Sequence, residues 1–267
     1  MLLKRLVTLH QILHKYMKRN TLHYISGLLL VLSLGACQRT FVASPALTTT
    51  DVPVDNTIAA DPQMEAKIAP YRQEVTVKMS EVVGTAPKAL QKGDYESPLG
   101  NFVTDLQITQ SKPLYNKPID LSLTTNGGLR VPLPEGDITT GHVFELMPFE
   151  NELVVLTLSG DKVKALFDYA AEKKFVVINN STYTVKGGKA TDIKINGKPL
   201  DVKQQYTLVT SDYLAGGGDG LAMLKDPVKY EKIGFLLRDA ILQQIRQLTA
   251  AGKPVTAEVQ NRVTILP

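Results

Sequence analysis

The chain has 267 residues, enough for one large domain or two small ones, and 43% of them are hydrophobic, as in a soluble protein with a core. It carries 30 Lys and Arg residues against 26 Asp and Glu residues, a formal net charge of +4. Five basic residues and no acidic residue lie within residues 1–36, so residues 37–267 carry 25 basic and 26 acidic residues. This balance excludes a general attraction for nucleic acid, and we expect no nucleic-acid partner.

The first 36 residues have the order of a secretory signal: basic residues, a short apolar run and then small residues. The apolar run at 25–32 falls well short of the roughly 20 residues that a membrane-spanning helix needs. Leu34-Gly35-Ala36-Cys37 resembles the bacterial lipobox, whose Cys is lipid-modified and becomes the new N-terminus. Cys37 is the one cysteine of the chain, which also excludes an intrachain disulfide. The alternative to a lipobox is an ordinary signal peptide in which Cys37 is incidental. For the start of translation, Met17 is the alternative to Met1, because a signal of normal length would begin there.

The lipobox resemblance implies export and a lipid anchor at Cys37, which makes the membrane a partner of the chain. Gln38, where sorting signals for retention have Asp, favours the outer membrane. We therefore predict three parts: a lipoprotein signal peptide at 1–36, a flexible tether rich in Thr, Ala, Pro and Asp at 37–60, and one domain at 61–267.

After the tether, the hydrophobic periodicity indicates both helices and strands. A polar helix is predicted at 61–80, with Met64, Ile68 and Tyr71 on one face. Asn196-Gly197 predicts a tight hairpin turn. Further helices are predicted from Leu99, from Thr139 to Leu146, from Asp161 and from Ile233 to Leu248, and strands at 82–84, 119–124, 153–158, 176–178, 183–185, 193–195, 206–210 and 263–266. Because helices and strands do not alternate regularly, we predict a single α+β domain with a mixed β-sheet and flanking helices.

Histidine is scarce in the part of the chain that would carry catalysis. Three of the four histidines lie within residues 1–36, and His142 is the fourth. A zinc or dinuclear hydrolase site uses several histidines with carboxylates, so we expect no metal and no other cofactor in this chain. Ser-His-Asp catalysis would have to use His142, which lies at a predicted helix start without a nucleophile elbow. The plainer interpretation of His142 is a partly exposed helix residue.

The glycine-rich run from Gly216 to Gly220 has two interpretations. Consecutive glycines let a backbone approach a ligand closely, and Asp219 within the run can accept hydrogen bonds from a ligand hydroxyl. The same glycines can also make a tight connection between a strand and a helix. The run lacks the Lys-Ser/Thr that follows the glycines of a phosphate-binding P-loop.

Five motifs together resemble the C-terminal domain of the 5′-nucleotidase and UDP-sugar hydrolase family. They occur in the family's order between about residues 60 and 266. They are ESPLGNFVTD (96–105), NGGLR (126–130), MPFEN (147–151), INGKPLD (195–201) and SDYLAGGGDG (211–220). The ordered set is more specific than any single motif.

The resemblance implies a binding site for the nucleoside part of a nucleotide. The base would stack between the two aromatic rings that match Phe149 and Tyr213, for which ordinary core packing is the alternative interpretation. Asn151 and Asp219 match the positions that contact the base and the ribose. Arg130 matches an arginine that faces the phosphate.

The chain also departs from the family pattern near the implied site. Family members usually carry one or two arginines just before the ESPLGNFVTD motif, where this chain has Lys88 and Lys92. Further departures are Tyr95 for an Arg, Thr125 for an Asn, Glu150 for a Gly, and Asn180 for a Gly beside the base. Glu150 next to the aromatic site would repel an anionic ligand.

The resemblance covers the recognition half of the family. The metallophosphoesterase half, with its Asp-x-His and Asn-His motifs around two metals, would not fit into 37–60, so we expect divalent metals in a separate metallophosphoesterase-type polypeptide. The leading hypothesis is a substrate-recognition subunit of a split 5′-nucleotidase-type phosphohydrolase in the periplasm. The alternatives are a stand-alone lipoprotein that binds a nucleoside or another ring-bearing molecule, and a degenerate scaffold.

Overall fold

The computed structural model describes residues 57–267, together with Pro53 and Asp55. Cys37, the predicted signal peptide and most of the predicted tether lie outside the described residues. Residues 60–267 form one compact unit. In this described part, none of the helices is long and apolar enough to span a bilayer.

The compact unit combines helices and strands. Two short 3-10 turns, Gly218–Gly220 and Ala222–Leu224, lie within and just after the glycine-rich run at 216–220. The helices are α1 Pro62–Met79, α2 Pro98–Tyr115, α3 Thr140–Leu146, α4 Gly160–Lys173, α5 Asp212–Ala215 and α6 Leu237–Ala250. The strands are β1 Val82–Ala86, β2 Leu121–Thr125, β3 Gly136–Thr139, β4 Glu152–Ser159, β5 Val176–Asn179, β6 Ser181–Lys186, β7 Lys189–Ile195, β8 Lys198–Pro199, β9 Gln205–Ser211, β10 Lys229–Leu236 and β11 Val263–Leu266.

A five-stranded mixed sheet with the order β10-β4-β9-β2-β5 forms the centre of the domain. β2 and β9 are parallel, and the other neighbouring strands are antiparallel. Alternate residues of β4 enter different buried clusters, with Val154 and Leu156 in one and Leu153 and Val155 in the other. The first cluster also contains residues of α4, and the second contains residues of α2 and α6. The predicted α+β fold, with a mixed sheet between helices, is confirmed.

Two smaller sheets complete the domain. One has the order β11-β6-β7-β8, and the other pairs β1 with β3. The predicted hairpin turn is confirmed, because Asn196 and Gly197 have φ values of 51° and 76° and Ile195 pairs with Lys198 across them. β11 runs parallel to β6 and fixes the C-terminal segment to this sheet.

The predicted helix at 233–248 begins later than expected. Residues 229–236 form β10, which pairs with β4 at the edge of the central sheet, and the helix α6 begins at Leu237. The strand is charged and largely exposed, so its sequence lacks the apolar alternation that indicates a strand. Pairing with β4 therefore decides the conformation of this segment.

Helix α1 confirms the predicted helix at 61–80. Asp61 caps it by accepting hydrogen bonds from the backbone N–H groups of Gln63 and Met64, and Pro62 occupies the first turn. The helix has no buried residue, and the apolar face predicted for it is exposed. Amphipathic spacing thus predicted the helix, but the described residues do not cover its apolar face.

Candidate ligand-binding cleft

Three loops meet at one edge of the central sheet and form a cleft. β2 and β9 are parallel and both end at this edge, and the antiparallel β4 begins there, with Leu153 opposite Ser211. The loops that follow β2 and β9 and the loop that precedes β4 are therefore neighbours. They surround a cavity of about 260 Å³ lined by Gly127, Gly128, Arg130, Phe149, Asn151, Tyr213 and Asp219. The five residues that the sequence predicted as ligand contacts all line this cleft.

The two aromatic rings of the cleft are accessible to a ligand. Phe149 is 41% exposed and Tyr213 is 51% exposed, and neither belongs to a buried cluster. The alternative interpretation of these rings as core residues is therefore wrong. Exposed aromatic rings in a concave site offer apolar faces to a flat ligand.

The loop that carries Phe149 is held by two arginines. The Arg130 guanidinium carbon lies 5.9 Å from the centroid of the Phe149 ring, within the range of a cation–π contact. Arg130 Nη1 also donates to the Gly127 carbonyl at 3.3 Å. On the other side, Arg238 Nη1 lies 3.5 Å from the Phe149 carbonyl, and the Arg238 guanidinium stacks over Phe144 at 4.3 Å.

Lys92 stabilises the loop after β2. Its Nζ donates to the Leu129 carbonyl at 2.9 Å and lies 3.4 and 3.5 Å from the carbonyls of Asn126 and Arg130. The Asn126 amide in turn donates to the Gly93 carbonyl at 2.8 Å. From the sequence, Lys92 was noted only as a lysine in the region where the family usually has arginines. Its contacts with three loop carbonyls follow from the tertiary structure.

Asp219 is the most extensively bonded residue of the cleft. Its Oδ2 accepts from the Thr125 hydroxyl at 2.5 Å, and its Oδ1 accepts from the Tyr213 hydroxyl at 2.9 Å. Its backbone carbonyl accepts from the Tyr169 hydroxyl at 2.7 Å. Asp219 has a left-handed φ of 51°, as a residue with a short polar side chain can adopt. The sequence motifs indicated Asp219 as a ligand contact but did not indicate its hydrogen-bond donors.

Two glycines of the same loop are required by close contacts. A Cβ on Gly218 would come within 2.5 Å of two Tyr213 ring atoms, and a Cβ on Gly220 would clash with the Tyr169 hydroxyl. Gly220 also has a φ of 78°, which favours glycine. The glycine-rich run therefore makes a tight connection and also brings its backbone against a ring of the cleft.

Comparison with known protein families identifies the domain that carries this cleft. Residues 79–226 match the family model described as the 5′-nucleotidase, C-terminal domain, which is more than half of the chain. The chain belongs to this family. The family resemblance inferred from the sequence motifs is therefore confirmed.

Individual relatives share the domain but are much longer than this chain. Protein UshA of Salmonella pullorum is 27% identical in an alignment that covers 71% of this chain and 35% of UshA. The trifunctional nucleotide phosphoesterase protein YfkN of Bacillus subtilis is 25% identical over 79% of this chain and 16% of its own length. The solved 5′-nucleotidase precursor of Thermus thermophilus has a TM-score of 0.66 and 26% identity, covering 76% of this chain and 43% of that chain.

The donor groups of the cleft do not fit the divalent metals that the family resemblance implies for catalysis. Asp219 is the one carboxylate that lines the cleft, and both of its oxygens already accept hydrogen bonds. Across residues 57–267, no three His, Cys, Asp or Glu side chains form a group that could hold a metal ion. We therefore assign no metal-dependent step to these residues.

Asn180 lies away from the cleft. Thr125 at the cleft pairs with Val176, whereas Ser122 at the far end of β2 pairs with Asn179. Asn180 follows the remote end of β5 and lines a separate hollow with Arg262. The family resemblance implied that Asn180 replaces a Gly beside the base, and this position is wrong, because β5 runs antiparallel to β2 and Asn180 follows the end of β5 that lies away from the cleft.

Three further residues that the sequence singled out also lie outside the lining of the cleft. Glu150 is exposed beside Phe149 but does not line the cavity. The Tyr95 hydroxyl donates to the Ala171 carbonyl at 3.3 Å, and its ring packs against a buried cluster. His142 Nδ1 accepts from the Thr139 N–H at 3.1 Å in a capping box that begins α3. The helix interpretation of His142 is therefore confirmed.

Proposed function

We propose that this chain recognises the nucleoside part of a substrate for a 5′-nucleotidase-type phosphohydrolase whose metal-bearing domain is a separate polypeptide. The observation that carries the proposal is the cleft, where two accessible aromatic rings lie with an amide, a carboxylate and a guanidinium on three neighbouring loops. Such a combination suits a ligand with a flat base, a hydroxylated sugar and a phosphate.

Each group of the cleft has a chemical task in this proposal. Phe149 and Tyr213 stack against the base, and stacking tolerates either ring type. Asn151 lines the cleft, and its side-chain amide forms hydrogen bonds with the base edge. Asp219 accepts from the sugar hydroxyls, and Arg130 faces the phosphate.

A catalytic partner is proposed because hydrolysis of a phosphate ester by this family requires metals that the described residues do not hold. The matched relatives extend well beyond the region they share with this chain, and one of them is named a nucleotide phosphoesterase. A domain that binds the nucleoside while a partner supplies the metals divides substrate recognition from chemistry. The lipid on Cys37 would hold the recognition half at the outer membrane, beside a partner in the periplasm.

Isothermal titration calorimetry with adenosine and AMP tests the recognition role. Replacing Phe149 with Ala should weaken nucleoside binding by about 5- to 150-fold, since base stacking contributes roughly 1–3 kcal/mol per ring. Tyr230→Ala is the matched control, because Tyr230 is an exposed aromatic residue of β10 that does not line the cleft. Equal binding by wild type and Phe149→Ala would contradict the proposed site.

Phosphate release separates the proposal from its alternatives. The purified chain should release no phosphate from AMP, and activity should appear only with a metallophosphoesterase partner. Turnover by the chain alone that survives a chelator would contradict the split arrangement. Tight nucleoside binding with no partner effect would favour a stand-alone binding lipoprotein, and absence of both binding and activity would favour a degenerate scaffold.

A further inference from the structure

The carboxylate of Asp219 is held by two hydroxyl groups from different segments of the chain. The Thr125 hydroxyl donates to Oδ2 at 2.5 Å and the Tyr213 hydroxyl donates to Oδ1 at 2.9 Å. Thr125 is completely buried at the end of β2. The Tyr213 ring lies against the Gly218 backbone, where there is no room for a Cβ. Both donors are therefore positioned by the fold.

These two bonds leave half of the hydrogen-bonding capacity of the carboxylate for a ligand. An ionised carboxylate has about four lone-pair sites, two on each oxygen. Thr125 and Tyr213 use one site on each oxygen, and Asp219 lines the cleft. Two adjacent ligand hydroxyls can each bind one oxygen, provided that the carboxylate is held in one orientation. Here that orientation is established before a ligand arrives, which favours affinity and selectivity.

We propose that the hydroxyls of Thr125 and Tyr213 are positioning groups that orient Asp219 to accept both hydroxyls of a vicinal diol. They make the cleft selective for ribonucleosides over 2′-deoxyribonucleosides. The inference rests on the proposed function, since it concerns the ligand of the same cleft. Tyr213 then has two separable tasks: its ring contacts the base and its hydroxyl orients Asp219.

Loss of one positioning hydroxyl should weaken the diol contact and leave stacking intact. Tyr213→Phe keeps the ring but removes its bond to Asp219, so the carboxylate can rotate. We expect adenosine binding to weaken by about tenfold, the size of one hydrogen bond to a charged group. Binding of 2′-deoxyadenosine should weaken by a smaller factor, because this ligand offers the oriented carboxylate one hydroxyl instead of two.

The experiment measures the ratio of the dissociation constants for 2′-deoxyadenosine and adenosine by calorimetry on the full chain. The ratio should be high in wild type and should fall toward one in Tyr213→Phe, Thr125→Val and Asp219→Asn. Thr125→Ser keeps a hydroxyl at the same position and should retain the wild-type ratio. Tyr213 is half exposed, so Tyr213→Phe keeps the test valid even if a substitution at the buried Thr125 impairs folding.

Two results would overturn the inference. An unchanged ratio in Tyr213→Phe and Thr125→Val, with the ratio lost in Asp219→Asn, would show that Asp219 needs no positioning groups. An equal loss for both ligands in the two variants would assign the hydroxyls a purely structural role. If wild type binds neither nucleoside, the proposed function and the inference both fail. If wild type binds adenosine and the variants give either of the two results above, only the inference fails.

Discussion

Arg262 joins the C-terminal segment to helix α2 through a largely buried ion cluster. Its Nη2 donates to Asp105 Oδ1 at 2.7 Å, and its Nε lies 3.9 Å from Glu96 Oε1. Glu96 is itself buried and accepts from the backbone N–H groups of Gln260 and Arg262 at 2.6 and 2.8 Å. Burial raises the pKa of Asp105, while the charge and hydrogen bond of Arg262 act in the opposite direction. The Arg262 cation therefore opposes the effect of burial on the Asp105 carboxylate.

Replacing Arg262 with Met should lower the free energy of unfolding by about 3–5 kcal/mol, because it leaves the buried Glu96 carboxylate without its cation. Arg246→Met is the control, since Arg246 pairs with Glu81 at 3.1 Å where both side chains are at least half exposed. That substitution should change the free energy by less than about 1 kcal/mol. Urea unfolding followed by circular dichroism measures both. Similar effects of the two substitutions would contradict the role assigned to Arg262.

Among the elements, β10 depends most clearly on long-range contacts. It is an edge strand of the central sheet, and Glu231 is its third residue. Glu231 Oε1 accepts from Lys229 at 2.7 Å and from Lys117 at 2.9 Å, and Oε2 accepts from the Tyr115 hydroxyl at 2.9 Å. These contacts lower the pKa of Glu231 to about 2, with the Lys229 hydrogen bond as the largest cause. The cluster connects the edge strand to the end of α2.

The lowered pKa predicts an acid-dependent loss of stability. Ionised Glu231 stabilises the folded protein fully above the ordinary pKa of 4.5, and this stabilisation disappears as the pH falls from there toward about 2. The difference in melting temperature between wild type and Glu231→Gln should therefore be constant near pH 6–7 and should shrink below about pH 4.5. Thermal unfolding followed by circular dichroism between about pH 2 and pH 7 measures this difference. A difference independent of pH would contradict the assignment.

The elements also differ in how well the sequence predicted them. β4 is an apolar run flanked by turn residues, and its burial on both faces followed directly from that pattern. The spacing of its apolar residues predicted helix α1. It did not predict that these residues are exposed, because the spacing shows which residues share a face and not whether another element packs on that face. β10 was missed since an edge strand needs little hydrophobicity when a neighbour supplies its backbone hydrogen bonds.

For the whole molecule, the proposed recognition and the predicted membrane attachment lie in different parts of the chain. The cleft lies in the compact unit at 60–267, and the proposed anchor is Cys37. Each buried CH₂ of a lipid contributes about 0.8 kcal/mol, so several acyl chains hold a protein at a membrane almost permanently. Under the proposed function, the tether predicted at 37–60 lets the cleft reach a separate catalytic partner.

Cys37→Ser should remove this attachment. In a bacterial host supplied with labelled palmitate, we expect wild type to carry the label and to sediment with membranes. The Cys37→Ser variant should carry no label and should move to the soluble fraction, whereas the neighbouring control Thr40→Ala should behave like wild type. Membrane recovery of an unlabelled Cys37→Ser variant would show that another feature attaches the protein.

The sequence by itself determined the α+β class through local periodicity and turn chemistry. Through the resemblance of its ordered motifs it also determined the family and five of the seven residues that line the cleft. The tertiary structure alone decided how the cleft is assembled. Thr125 and Asp219 are 94 residues apart and meet because parallel strands β2 and β9 end at the same edge of the sheet. The antiparallel register of β2 and β5 places Asn180 at the end of the sheet away from the cleft. Strand order and register arise from packing over the whole domain, so no local pattern could have predicted which hydroxyls orient Asp219.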